Sequence, residues 1–291
     1  TAMIPWYRSW AQLVRLPNLP TTMADIALAG LATGLLAKRV EIFVLLLLAS
    51  CCLYMSGMVW NDFFDVAQDR KERPERPIPS GRISRRTAGL GAAILMLVGV
   101  VLAFLSGYAN TRIDESASLV LPGGVALMLV AAIFAYDGWL KHTLLGPVAM
   151  GSCRFFNVLL GVSIAGSLVW PLGPLLALIV GLYIVGVTWF ARTEARVSSR
   201  TALTGAVLVM LASLLLAPCA AAMRPEGTPS PLFVYALVAF GFWLGFPLWQ
   251  AIESPTPSQV QRGVKRSLMG LILLDTILAM GTAGNIGIAL L

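Results

Sequence analysis

Four oxygen-bearing side chains stand close together: Asn61, Asp62, Asp65 and Asp69. Spacings of three and four residues put the acids on one face of a helix. Three carboxylates so placed repel one another unless positive charge lies between them. Hard oxygen donors suit a divalent cation, and Mg²⁺ typically reaches phosphate through one or two carboxylates. Seven bases follow: Arg70, Lys71, Arg73, Arg76, Arg82, Arg85 and Arg86. Acids for a metal, then bases for an anion, predict a diphosphate site at the end of the apolar run from Ile42 to Trp60. A loop that only set membrane topology would need bases, not three acids on one face.

Further groups could join such a site. Tyr136-Asp137-Gly138-Trp139-Leu140-Lys141-His142 closes an apolar run, and Lys141 could reach a diphosphate oxygen as a point charge. Arg154 and Asn157 lie one helical turn apart near the start of another run. An arginine there is costly unless it is paired or faces a polar cavity, which predicts a cavity position for both. Arg192-Thr193-Glu194-Ala195-Arg196 closes a later run. Glu194 reads either as an oxygen ligand or as a partner that holds an arginine. Arg15, before Pro17 and Asn18, could reach the same cavity. Asp25 and Asp275 lie inside apolar runs, so they are expected to be structural, facing the bundle interior with a partner.

The elements that position these groups are membrane helices. Hydrophobic residues make up 58% of the chain and charged residues only 12%. Many apolar runs approach the 20 residues that cross a bilayer as a helix, and they lack the alternation of a barrel. The expected fold is an all-α polytopic membrane protein, a single domain over 1–291. Nine spans are predicted, at 20–37, 41–61, 88–108, 119–138, 146–167, 172–191, 202–222, 231–251 and 267–290. The N-terminal residues, with Trp6, Tyr7, Arg8, Trp10 and Arg15, read as an interfacial segment and not as a cleavable signal.

Charge orients the bundle. With the N-terminus in the cytoplasm, Arg8, Arg15, the bases of 70–86, Lys141, Arg192, Arg196, Arg200, Arg262, Lys265 and Arg266 lie inside. Only Lys38, Arg39, Arg112 and Arg224 lie outside, and this bias follows the positive-inside rule. The acid-rich stretch is then cytoplasmic and the C-terminus external.

Other chemistry is excluded. The net charge of +7 in so apolar a chain fits membrane lipids and a phosphorylated substrate, with no nucleic acid. His142 is the only histidine, which argues against a histidine-ligated haem or zinc site. Cys51, Cys52, Cys153 and Cys219 lack ligand spacing and read as packing residues. No G-x-x-x-x-G-K-[ST] or G-x-S-x-G occurs, and Asp137-Gly138 lacks the downstream acids of a CDP-alcohol phosphotransferase.

The stretch from Asn61 to Gly81 resembles the first signature of the UbiA superfamily of intramembrane prenyltransferases, N-D-x-x-D-x-x-x-D followed by R-P-[LI]-P-S-G. Tyr136 with Lys141, Arg154 with Asn157, and Arg15-Leu16-Pro17-Asn18 resemble three further family elements, so the likeness covers the whole chain. The resemblance implies a nine-helix bundle around a central cavity with a cytoplasmic cap. It further implies a polyprenyl diphosphate donor, Mg²⁺ as cofactor and a small aromatic or polyol acceptor. Asn61, Asp62, Asp65 and Asp69 would hold the metal. Asp62, Asp65, Lys141 and Tyr136 would be catalytic. Arg15, Asn18, Asn61, Arg70, Arg76, Arg82, Arg154, Asn157, Glu194 and Arg196 would bind substrate. Tyr136 or Phe155 would offer an aromatic face to an allylic cation.

One departure stands out. The family usually carries a second aspartate-rich motif after the sixth helix. Here Glu194 is its only acid, and Arg196 stands where an aspartate is expected, a pattern that resembles an EboC-like subgroup. Arginine could replace a second metal electrostatically. The competing reading is a non-catalytic lipid or prenylated-product carrier that kept half of the site.

Overall fold

The computed structural model describes residues 6–192, 199–224 and 228–290. Its regular elements are all helical. Helix α1 (Trp6–Leu13) buries Ser9 and Leu13 and leaves Trp6 and Tyr7 exposed, as an interfacial segment should. Arg15 then turns the chain with a left-handed backbone, φ 50° and ψ 50°. Such a backbone costs a non-glycine residue about 1–2 kcal/mol. Helix α2 (Leu19–Ala32) follows, and Gly34, with φ 68°, takes the positive-φ conformation that ends it.

Helix α3 (Val40–Phe64) and the short α4 (Val66–Glu72) are separated by a break at Asp65. Helix α5 (Arg85–Thr111) starts with Ser84 as its cap, accepting from Thr87 N at 3.1 Å. Helix α6 (Leu121–Ala135) runs into a wider π turn, Tyr136–Leu140. Helices α7 (Gly146–Val162), α8 (Leu172–Ala191), α9 (Arg200–Ala222), α10 (Phe233–Glu253) and α11 (Pro257–Ala283) complete the bundle. A 3₁₀ turn, Gly284–Leu290, follows α11.

Eight described helices are long and apolar enough to cross a membrane. The protein is therefore an integral multi-pass membrane protein. The first predicted span, 20–37, corresponds to α2, whose 14 residues reach about 21 Å, short of the ~30 Å hydrocarbon core. Pro257 starts the last helix ten residues before the predicted 267, because its fixed φ suits a first helical position.

Helix α2 is central: it packs against α3, α7 and α11. Close approaches use small residues, as expected where lipid removes the hydrophobic drive between helices. A Cβ on Gly151 of α7 would lie 2.6 Å from the Gly181 carbonyl oxygen of α8. Helix α5 shows the other side of membrane burial. Leu90, Ile94, Leu97, Val101 and Leu105 form an exposed apolar stripe, while Ala88, Ala92, Gly99 and Ala103 face the bundle.

At the end away from the acid-rich stretch, Arg39 ties three segments together. It donates to the Ile164 carbonyl at 3.2 Å, to Asp114 Oδ2 at 3.2 Å and to Asn110 Oδ1. Hydrogen bonds from Ser116 and from Arg39 hold the Asp114 carboxyl below its usual range.

Candidate active site

A cavity of about 280 Å³ opens where the acid-rich stretch meets the bundle. Its body is apolar, lined by Leu53, Gly57, Met58, Leu129, Ile133 and Met150. Its polar end carries Arg15, Asn61, Asp65, Arg73, Arg76, Tyr136, Asp137 and Lys141. Tyr54, Cys153, Arg154, Asn157 and Thr22 complete the wall. A charged end on an apolar pocket fits an amphiphile with an anionic head.

The three acids do not share one continuous helix face. The helix breaks at Asp65, between α3 and α4: Asp62 and Asp69 meet at one base, Arg76, and Asp65 pairs with another. Asp62 Oδ1 accepts from Arg15 at 3.3 Å and from Arg76 at 3.2 Å. Asp69 Oδ2 accepts from the same Arg76 nitrogen at 2.7 Å, and Asp65 is paired with Lys141. Arg15 also reaches Asn61 Oδ1 at 3.4 Å. Among the described residues no three acidic, histidine or cysteine side chains converge on one point. The donor chemistry nevertheless fits Mg²⁺: three carboxylates and an amide oxygen, all hard ligands, with bases as their present counter-charges.

The π turn explains how Tyr136, Asp137 and Lys141 all reach the cavity. Lys141 N bonds Tyr136 O at 2.9 Å, five residues back, so the two residues overlie on one face. Asp137, which the sequence reading left outside the site, accepts from Asn61 Nδ2 at 2.8 Å. That bond fixes which way the Asn61 amide faces and turns its oxygen toward Arg15. Arg73 is a second omission. Its signal was present, since it precedes Arg76 by three residues in a loop already read as anion-binding.

Below this layer lies a second one. Arg154 donates to Asp25 Oδ2 at 3.0 Å and to Thr21 Oγ1 at 2.8 Å, and it lies over the Tyr54 ring with 5.9 Å to the centroid. Asn157 Nδ2 donates to the same Asp25 oxygen at 2.7 Å and to Thr22 Oγ1 at 2.9 Å. Ser50 donates to Asn157 Oδ1 at 2.6 Å. The expected cavity position of Arg154 and Asn157 is what the structure has, but Asp25 already balances the arginine charge.

Other candidates lie elsewhere. Asp62, Asp69 and Asn18 are not cavity-lining, although the first two hold bases that are. Arg70 is exposed. Arg82 binds Gln12 Oε1 at 3.1 Å, Ser9 Oγ at 3.4 Å and the Glu75 carbonyl, tying α1 to the loop. Phe155 packs edge-on against Phe156 away from the cavity, so Tyr54 and Tyr136 are its aromatic faces. Glu194 and Arg196 lie outside the described residues.

Fold and site define a helical membrane protein with an amphiphile cavity charged at one end. The chain matches the UbiA prenyltransferase family over residues 18–269, and it belongs to that family. It is similar to the digeranylgeranylglyceryl phosphate synthase of Methanothermobacter thermautotrophicus, 36% identical over 115 residues, covering 38% of this chain and 39% of that one. The synthase of Sulfolobus acidocaldarius is 26% identical over 162 residues, 55% of this chain and 54% of that one. The chain thus spans about half, or less, of the length of the curated relatives it matches. A solved structure of digeranylgeranylglyceryl phosphate synthase superposes with a TM-score of 0.69 at 18% identity, covering 96% of this chain and 99% of that one. A UbiA homologue from Archaeoglobus fulgidus, bound to GPP and Mg²⁺, gives 0.54 at 13% identity, with 97% and 99% covered. At these identities the likeness shows the shared fold.

Proposed function

We propose that the protein is a Mg²⁺-dependent intramembrane prenyltransferase that moves a polyprenyl group from its diphosphate to a small aromatic or polyol acceptor. The observation that carries this reading is the two-part cavity. Arg15, Arg73, Arg76 and Lys141 gather at one end, and Leu53, Met58, Leu129, Ile133 and Met150 line the rest. The relatives named as digeranylgeranylglyceryl phosphate synthases and the homologue bound to GPP and Mg²⁺ support the same class of donor.

The prenyl tail lies along the apolar wall, and the diphosphate meets the bases. Arg15, Arg76 and Lys141 are held by Asp62, Asp65 and Asp69, so the diphosphate competes for them and frees carboxylate oxygens. Mg²⁺, when bound, would be held by Asn61, Asp62, Asp65 and Asp69 and supplies positive charge against the departing diphosphate. The C1–O bond breaks and its electron pair leaves with the diphosphate. Tyr54 and Tyr136 present aromatic faces to the allylic cation. The acceptor attacks C1, and its proton leaves on the diphosphate. The apolar wall keeps water from capturing the cation.

The distribution of bases supports a cytoplasmic N-terminus and cytoplasmic 62–87 and 192–201 loops, with the C-terminus outside. Mass spectrometry of host lipids on expression tests the reading. A prenylated product should accumulate with the wild type and be absent with Asp65→Ala. The same lipid profile from both would overturn it.

A further inference from the structure

Asp275 has no place in the mechanism above, yet it lies behind the cavity wall, next to Asp25 and Arg154. It sits on α11 at 0% exposure, and neither of its carboxyl oxygens meets a donor among the described residues. Its carboxyl faces that of Asp25 on α2, also at 0% exposure. The charged and titratable groups around it are Asp25, Arg154 on α7 and Tyr183 on α8. Tyr183 is not a donor to it, because its hydroxyl donates to the Ser267 carbonyl at 2.8 Å.

The two acids are not equivalent. Asp25 Oδ2 receives Arg154 at 3.0 Å and Asn157 at 2.7 Å, and these donors stabilise an anion. Asp25 Oδ1 meets no donor group, like both oxygens of Asp275. Two ionised carboxylates facing each other in the bundle interior, beside one arginine, would leave an uncompensated negative charge. One proton between them removes that charge and joins Asp25 Oδ1 to one of the two Asp275 oxygens.

We propose that Asp275 is a positioning residue of the site: its protonated carboxyl donates to Asp25 Oδ1, so that Asp25 holds Arg154 and Asn157 on the cavity floor. The last helix is thereby fastened to the substrate cavity through α2 and α7. The role of that floor in binding a prenyl diphosphate rests on the function proposed above, whereas the proton does not. Asparagine at 275 can still donate to Asp25; leucine cannot.

The test combines two measurements on the full chain in nanodiscs. Infrared spectroscopy without substrate should show the carbonyl stretch of a protonated carboxylic acid in the wild type, and Asp275→Asn should lose it. No loss of such a band in Asp275→Asn overturns the proposal. In kinetics with geranylgeranyl diphosphate, Asp275→Leu should raise KM about tenfold, one charge-assisted hydrogen bond's worth, with a smaller change in kcat. Asp275→Asn should stay near wild type. A wild-type KM in Asp275→Leu overturns the positioning role. Should Asp275→Leu fail to fold, a raised KM in Asp275→Asn overturns it instead. A wild type that turns over no prenyl diphosphate refutes the functional reading alone, and the infrared result still decides the proton.

Discussion

Replacing Asp62 by asparagine separates the chemistry of the site from its architecture. Asp62 is 4% exposed, and its Oδ1 is shared by Arg15 at 3.3 Å and Arg76 at 3.2 Å. Removing one partner of a buried ion pair typically costs about 3–5 kcal/mol, because a charge is left without compensation. Here both cations keep another oxygen: Arg76 holds Asp69 at 2.7 Å, and Arg15 holds Asn61 at 3.4 Å. Arg15 is also about a third exposed, so water takes up part of the loss. The expected destabilisation is therefore about 1–2 kcal/mol, the scale of one hydrogen bond to a charged group. The effect on activity should be larger. A lost carboxylate weakens the hold on Mg²⁺ and misplaces two of the bases that meet the diphosphate. A fall of about 100-fold or more in kcat/KM is expected, comparable with removal of one preorganised electrostatic contact. Thermal unfolding in detergent and product formation from the same preparation give the two numbers. Activity within about threefold of wild type in well-folded protein would refute the reasoning, for that would mean Asp62 is only a strut.

Asp65→Asn and Lys141→Met should each destabilise by about 1–3 kcal/mol, and the double variant by less than their sum, since it leaves neither charge alone. All three should lose turnover, which chemical denaturation and activity measured side by side will check. Asp114, outside the membrane, should give a pH signature. Its carboxyl titrates below the usual range in the fold, so the Ser116 and Arg39 contacts stabilise above the unfolded-state pKa of about 3.9 and fade as pH falls through the folded value. The stability gap between wild type and Asp114→Asn should be constant near neutrality and vanish in acid. Sidedness is checked with Ser80→Cys: an impermeant thiol reagent should not label it in intact cells, and labelling would reverse the topology.

Sequence spacing made part of this site readable. Asn61, Asp65, Arg76 and Lys141 meet at one cavity because acids and bases cannot stay in lipid without partners, so their chemistry stays visible in a mostly apolar chain. What spacing could not show is where a helix bends. The break at Asp65 splits the single-face cluster between an Arg15–Asp62–Arg76–Asp69 network and an Asp65–Lys141 pair, and the π turn at Tyr136–Leu140 brings Asp137 in beside Lys141. Partners far apart along the chain were equally hidden. Arg154 and Asp25 are 129 positions apart, and only the packing of α2 on α7 joins them. Helix α2 escaped a correct length because its apolar run continues past the turn at Gly34, where backbone conformation and not hydropathy ends the helix.

The central claim is that the charged end of the cavity works on a metal-bound diphosphate while the apolar wall holds the prenyl chain. Purified protein in nanodiscs, given labelled geranylgeranyl diphosphate and a panel of polyol and aromatic acceptors, tests it directly. Labelled prenylated product should form with Mg²⁺, together with released diphosphate, and should stop when the metal is chelated. Binding of the labelled diphosphate with no release of diphosphate under any of these conditions would contradict the account and make the protein a carrier.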